Sequence, residues 1–185
     1  MKIGFQGDLF SNSEEASQIF AKKMHFENVE FIPLISSKNV VKNLITKNID
    51  FGVMATKNII AGDVIETKEA ITPNIELISS IDLAIHHCLF KKTANSSILY
   101  VASHIQALQQ TKETRKKILK DVPEIECSDT SLAAKMLANG KYPENYGVIC
   151  RENAGLFFNL FLVAKNIEDN PLNTTSFGLF QLKKS

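Results

Sequence analysis

The run Ser103-His104-Ile105-Gln106-Ala107-Leu108-Gln109-Gln110 follows the apolar segment Ile98–Val101 and opens a helix, so hydroxyl, imidazole and amide groups gather where a strand gives way to a helix. In open α/β sheets that junction binds ligands, because helix N-terminal N–H groups and side chains just past the strand ends face one crevice. Ser103 reads as the N-cap, and Gln106, three residues on, completes a capping box. The plain alternative is that these residues only cap a helix. Asn58, on a loop after a strand, and Thr175, beside a strand rich in Phe and Leu, carry polar groups at comparable positions. On residue type alone, Asn58 serves turn geometry and Thr175 serves β-propensity. His104 does not make a nucleophile pair with Ser103, since sequence neighbours rarely form the needed hydrogen bond. His86 and His87 alternate across a strand and do not grip one ion, so no metal site is expected. Asp129 is expected to cap the helix at Thr130.

The elements that must position these groups are short apolar runs alternating with amphipathic helices. Strands are expected over Lys2–Phe5, Val29–Pro33, Asp50–Met54, Ile75–Phe90 in two segments, Ile98–Val101, Ile125–Cys127, Tyr146–Ile149, Leu160–Ile167 and Ser176–Leu182. Helices are expected over Ser13–Met24, Ser37–Thr46, Val64–Glu69, His104–Leu119, Thr130–Ala138 and Glu152–Phe158. In the first helix, Ser13 is the expected cap, Glu14 and Glu15 suit the first turn, Lys22 and Lys23 the last, and Ala16, Ile19, Phe20 and Met24 share a face. Two βαβαβ series, 2–54 and 98–149, predict two small α/β lobes joined by crossing strands, a periplasmic-binding-protein-like arrangement of the second type with a central ligand cleft. Lobe 1 is expected over about 1–80 plus 168–185, and lobe 2 over about 85–165, within a single domain of 1–185.

The 185 residues, 44% hydrophobic, suffice for a real core, and a net charge of +1 without a basic, aromatic-interleaved stripe excludes a nucleic-acid reading. The longest apolar segment, Leu156–Ala164, is broken by Asn159 and too short to cross a membrane. The chain enters a strand at Lys2 with no apolar leader, which reads as cytoplasmic. Cys88, Cys127 and Cys150 lack C-x-x-C spacing and read as reduced, buried thiols. Arg115 is expected on a solvent face, and the cluster Phe157–Phe161 in the core at the crossing between lobes, with a face for dimerisation as the alternative.

Taken in order, several motifs resemble the catalytic domain of the prephenate dehydratase family over nearly the whole chain. Ile3-Gly4-Phe5-Gln6-Gly7 with Ser13-Glu14-Glu15-Ala16 is similar to its first strand and helix start. Asp50-Phe51-Gly52-Val53-Met54-Ala55-Thr56-Lys57-Asn58, with Gly62, resembles its Asp-Tyr-Ala-Val-Val-Pro-Ile-Glu-Asn…Gly stretch. His87-Cys88-Leu89 matches its His-Cys-Leu, and Ser103 to Gln110 its Ser-His-Pro-Gln-Ala-Leu-x-Gln. Ser131-Leu132-Ala133-Ala134 is similar to its Ser-Thr-x-x-Ala-Ala helix, and Ile167-Glu168-Asp169 with Asn173-Thr174-Thr175-Ser176-Phe177 to its Ile-Glu-Asp…Asn-x-Thr-Arg-Phe ending.

The resemblance implies a two-lobed fold and a lyase that takes prephenate to phenylpyruvate, losing carbon dioxide and the ring hydroxyl, in phenylalanine biosynthesis. No metal or organic cofactor is implied. Such a protein must set a proton donor at the departing hydroxyl and hold two carboxylates in register. The resemblance places Thr175 at that hydroxyl, with Asn58, Ser103, Gln106 and Gln110 lining the pocket and Ser176 beside it. Ser176 replaces the arginine of the motif, Lys57 its glutamate and Ala55 its proline, while Asp8 and Phe10 depart from the first turn. A planar cation suits a carboxylate, and Lys57 with Arg151 are the expected substitutes. The alternative leaves Lys57 solvated and has Arg151 cap a loop or pair with Glu152 or Asp169. The chain stops at Ser185, so no attached ACT domain is expected, and a homodimer is the expected assembly. Two further readings stay open: a decarboxylase of prephenate that leaves the ring non-aromatic, and a catalytically silent two-lobed protein binding an aromatic or dicarboxylate ligand.

Overall fold

The computed structural model describes residues 1–183. In chain order the elements are β1 (Lys2–Phe5), α1 (Asn12–Lys23), β2 (Glu30–Pro33), α2 (Ser37–Ile45), β3 (Phe51–Asn58), β4 (Gly62–Asp63), α3 (Ile65–Ala70) and β5 (Ile75–Ala84). They continue with β6 (Cys88–Lys91), β7 (Tyr100–Ser103), α4 (Ile105–Gln110), α5 (Lys112–Leu119), β8 (Glu124–Glu126), α6 (Thr130–Ala138), β9 (Tyr146–Cys150), α7 (Glu152–Phe157), β10 (Phe161–Ala164) and β11 (Thr174–Leu182). The chain divides into two compact units: Met1–Ile85 together with the segment from Asn173 onward, and His86–Leu172. The crossings therefore fall at Ile85/His86 and Leu172/Asn173, which puts Glu168 and Asp169 in the second unit rather than, as expected, in the first.

In the first unit the sheet runs β2-β1-β3-β11-β5, with β4 paired to β3. β1 pairs in parallel with β2 and β3, whereas β11 lies antiparallel between β3 and β5. Ile3, Phe5, Ala16, Phe20, Val53, Phe177 and Leu179 form one core cluster, and Val40, Val41, Leu44, Ile49, Met54, Ile75 and Phe180 another. Helix α1 begins earlier than expected. Phe10 adopts a left-handed φ of 65°, its N–H donates to the Glu14 carboxylate, and Ser11 Oγ accepts from Glu14 N. That reciprocal cap leaves Ser13 on the buried face with Ala16, Ser17 and Phe20.

The second unit repeats the same plan. Its sheet runs β8-β7-β9-β6-β10, with β7 parallel to β8 and β9, and β6 antiparallel to β9 and β10. In both sheets the first strand of the βαβαβ series sits between the second and third, and an antiparallel strand follows. Leu89, Val101, Ala107, Leu108, Ile149 and Ile167 make its core.

The helix expected over His104–Leu119 is two helices. Thr111, whose Oγ1 donates to Ala107 O at 2.7 Å, separates them, and the Asp169 carboxylate starts the second by accepting from Glu113 N at 2.9 Å and Thr114 N at 2.7 Å. This break turns Arg115 inward, against expectation: it is buried, donates to Leu108 O at 3.1 Å and pairs with Glu124. Phe157, at 63% exposure, and Phe161, at 46%, also depart from the core placement expected of them, while Leu160 is buried. All three cysteines are free and buried.

Candidate active site

In the first unit, chemistry converges on Thr175. The register sets Thr175 opposite Asn58 on one side and Leu83 on the other. Asn58 Nδ2 lies 2.8 Å from Thr175 Oγ1, 3.0 Å from Asn173 Oδ1 and 3.2 Å from Thr174 O, donating to this cluster. Its Oδ1 accepts from Ile60 N and Ala61 N, each at 3.0 Å, and so holds the turn that leads to Gly62, whose φ of 83° suits glycine. Both ends of one amide are in use. Because a primary amide nitrogen only donates, Thr175 Oγ1 accepts from Asn58, and its own proton is directed to another acceptor. The result is a buried hydroxyl, held by its oxygen, that presents a proton. Asn173, buried beneath it, was legible only as part of a motif.

Ser176 and Lys57 face each other one register step on, and Ser176 also faces Asp82. Ser176 Oγ donates to Asp82 Oδ1 at 2.6 Å. Since strand neighbours point to opposite faces, Lys57, Ser176 and Asp82 stand on the other face of the pleat from Asn58 and Thr175. The expectation set Lys57 and Ser176 beside Thr175; the register places them one step on, facing the other side of the sheet.

In the second unit, Ser103 is the last residue of β7 and not a cap. Its buried hydroxyl donates to Ile149 O at 2.6 Å, tying β7 to β9. His104 caps α4 instead, its Nδ1 accepting from Gln106 N at 3.3 Å, so the capping box does not form. Arg151 is the N-cap residue of α7, at the end of β9. Nearby, Glu152 pairs with Lys165, and Asp169 caps α5. Asp129 caps α6 as expected, accepting from Ser131 N and Leu132 N.

A network that residue types alone did not reveal surrounds Gln110. His87 Nε2 is 2.9 Å from Gln110 Oε1, and Asp169 N donates to Gln110 O at 2.7 Å. Glu168 grips the first crossing with both oxygens, one 2.8 Å from His86 Nδ1 and the other accepting from His87 N at 3.0 Å. Burial pushes the Glu168 carboxyl up, but the hydrogen bonds from His87 N–H and His86 outweigh it and hold the group below its usual value. Burial likewise opposes Asp169, and the Glu113 and Thr114 bonds, with Arg115 nearby, prevail. Burial lowers His87, keeping the ring neutral, and raises the Cys88 and Cys150 thiols. The Ile-Glu-Asp order was the one available signal for Glu168 and Asp169. Among the described residues no cluster of three metal-ligating side chains occurs, and no helix is long and apolar enough to cross a membrane.

A family model described as prephenate dehydratase matches residues 3–185. The chain belongs to the prephenate dehydratase family. It is 34% identical over 138 residues to prephenate dehydratase of Methanocaldococcus jannaschii, covering 74% of this chain and 49% of that protein. The chain spans about half the length of the curated relatives it matches. In fold it is similar to prephenate dehydratase in complex with L-Phe from Arthrobacter aurescens, with a TM-score of 0.88 at 19% identity, covering 100% of this chain and 61% of that one. The sulfate-bound regulatory domain of an OxyR2 variant from Vibrio vulnificus is similar at a TM-score of 0.51 and 11% identity, covering 100% of this chain and 87% of that one. The fold class is therefore the two-lobed α/β, periplasmic-binding-protein-like one.

Within a prephenate dehydratase frame, the two largest departures prove to be neighbours. The glutamate and arginine of the family pattern fall on positions 57 and 176, which are Cα partners here. Opposite charges at such positions pair across strands. Lys57 and Ser176 thus replace both members of a facing pair, and Asp82 takes up the serine hydroxyl.

Proposed function

We propose that this chain catalyses the conversion of prephenate to phenylpyruvate, carbon dioxide and water. The observation that carries the reading is the Thr175 hydroxyl, which accepts from Asn58 at 2.8 Å and keeps its own proton for an acceptor. As the bond from the ring to its carboxylate breaks, that electron pair enters the ring and expels the ring hydroxyl. Thr175 gives the leaving oxygen a proton, regained from solvent, and water departs. Aromatisation supplies much of the driving force, so the protein's part is orientation and one placed donor.

In the same reading, Gln106, Gln110 and Arg151 bind the substrate's carboxylates, and Ser103 supports them from the strand it ties to β9. Asn58 positions Thr175. Lys57 and Ser176, on the other face of their sheet, act on the substrate only at a distance. A reducing, cytoplasmic location fits three free, buried cysteines, and a homodimer is part of the proposal. No cofactor enters the scheme.

The test is incubation of the protein with prephenate at neutral pH, following phenylpyruvate by its ultraviolet signature and prephenate consumption separately, beside Thr175→Val. Phenylpyruvate formed by the wild type and reduced at least about a hundredfold in the variant is expected, the range for loss of a placed proton donor. Prephenate loss without phenylpyruvate would assign the non-aromatising decarboxylase, and no consumption above background would assign a binding role.

A further inference from the structure

Two of the three cysteines meet across a pair of strands. β6 and β9 run antiparallel, and in their register Cys88 is the Cα partner of Cys150. Both are free thiols, at 2% and 0% exposure, and neither enters the chemistry above. Residues that face each other in an antiparallel pair carry their side chains on the same face of the sheet, with Cβ atoms about 4.5–5.5 Å apart. Their Cα atoms stand about 5.5 Å or about 4.5 Å apart, with or without exchanged backbone hydrogen bonds. A disulfide spans about 4.4–6.8 Å between Cα atoms and about 3.5–4.5 Å between Cβ atoms. The backbone is therefore already placed for that bond, and a small closing movement completes it.

The pair also sits where the ladder can open. Cys88 is the first residue of β6 and Cys150 the last of β9, so theirs is the end pair of a register that continues to Lys91 and Gly147. Strand ends open locally at far lower cost than a sheet interior, and such opening admits a small oxidant to sulfurs that the closed sheet covers. Burial raises both thiols, with the backbone at Asn166 acting the other way for Cys88 and that at Gly155 for Cys150. Cys127 differs in its place. It lies just past β8, its N–H donating to Ser103 O at 2.8 Å, and at 8% it is the most exposed of the three. Exposure alone picks out Cys127, whereas register picks out Cys88 with Cys150.

We propose that Cys88 and Cys150 form a reversible modification site, a dithiol that a hydroperoxide converts to a cross-strand disulfide. Cys88, the less covered of the two, attacks hydrogen peroxide. Its sulfur bonds one peroxide oxygen, the O–O bond breaks and water leaves, so Cys88 becomes a sulfenic acid. The Cys150 sulfur then bonds the Cys88 sulfur, the S–O bond breaks, and the Cys150 thiol proton leaves with the hydroxyl as a second water. Two electrons pass from the thiols to the peroxide. A bond that has to draw two strands together is the more easily reduced, so a thiol reductant restores the pair. The site does not depend on the dehydratase reading.

The test exposes the native protein to hydrogen peroxide at neutral pH, blocks the remaining thiols by alkylation and maps the peptides by mass. A peptide linked through Cys88 and Cys150, lighter by two hydrogens than its free halves, is expected. Dithiothreitol removes the link, and Cys127 stays open to alkylation throughout. Oxidation of Cys127 first, separate conversion of Cys88 and Cys150 to sulfinic or sulfonic acids, or links between chains overturn the proposal. So does survival of both thiols at a peroxide dose that oxidises the urea-unfolded chain. Cys150→Ser, which lacks the resolving thiol, leaves Cys88 as a sulfenic acid that dimedone traps, and Cys88→Ser loses both link and adduct. Dimedone found on Cys150 in Cys88→Ser, with none on Cys88 in the converse variant, refutes Cys88 as the attacking thiol. Where either variant does not unfold cooperatively in urea, the wild-type peptide map decides alone.

Discussion

Exchange of Asn58 separates the stabilising and chemical roles of one amide. Its oxygen accepts from Ile60 N and Ala61 N, and its two protons serve a cluster of three acceptors that includes Thr175 Oγ1. Two protons can align fully with only two of those acceptors, so about four net hydrogen bonds are at stake. At ~0.5–1.5 kcal/mol each, Asn58→Ala is expected to cost about 2–6 kcal/mol. For a chain of this size that lowers Tm by roughly 4–24 °C. Asn58→Asp keeps both accepted backbone bonds and exchanges the bond donated to Thr175 for one accepted from it, so its cost is smaller than that of alanine. Its effect on chemistry is the larger one. The introduced carboxylate accepts only, so the Thr175 hydroxyl turns round and donates to it, and its proton no longer faces substrate. Turnover should then fall roughly 10²-fold or more, as for removal of the hydroxyl itself. Urea unfolding gives the stabilities and phenylpyruvate formation the rates. Near-native turnover in Asn58→Asp, or a cost below ~0.5 kcal/mol in Asn58→Ala, would refute the assignment of the hydrogen-bond directions.

Two further outcomes concern the second unit. Glu168 and Asp169 are both held below their ordinary values of 4.5 and 3.8. Their contribution to stability is therefore complete above about pH 4.5 and is lost as pH falls through the lower native values. The double variant Glu168→Gln with Asp169→Asn should be less stable at pH 7 and show a flatter acid limb, measured as urea midpoints from neutral pH downward. An unchanged limb would place the acid sensitivity elsewhere. A Cβ added at Gly155 would run into the Phe90 ring, so Gly155→Ala is expected to cost about 1–3 kcal/mol. Thermal melts should show partial recovery when Phe90→Leu is added, and no recovery would mean that the clash is not the cause.

The parts of this molecule legible in its sequence are those set by near neighbours. The cap of α6 by Asp129 and the alternation of strands and helices follow from residues a few positions apart, and the structure bears them out. What was not legible depends on partners far along the chain. Ser103 carries every local mark of an N-cap, yet Ile149 O, on an adjacent strand, claims its hydroxyl. Nothing within Lys112–Leu119 announces that Asp169 will start that helix, and without that break Arg115 reads as a surface residue. Asn58 and Thr175 were legible as a site only through the order of motifs. Their contact follows from a strand register that spans 117 residues, which no local pattern contains.

The order in which the strands leave the ribosome differs from the order in which they sit. The second unit is continuous in sequence, His86–Leu172, and all of its strands are made before β11. The first unit has β1, β2, β3 and β5 early, but its sheet lacks the strand between β3 and β5 until synthesis passes Leu182. Until then both β3 and β5 present unpaired edges, the kind of surface that invites pairing with other chains. β11 also brings Thr175. The last strand to be made is the one that carries the proposed proton donor, so a nascent or C-terminally clipped molecule has an unfinished sheet and lacks that hydroxyl at once. On the proposed function, a single late event, the insertion of one strand, couples completion of the fold to the onset of activity.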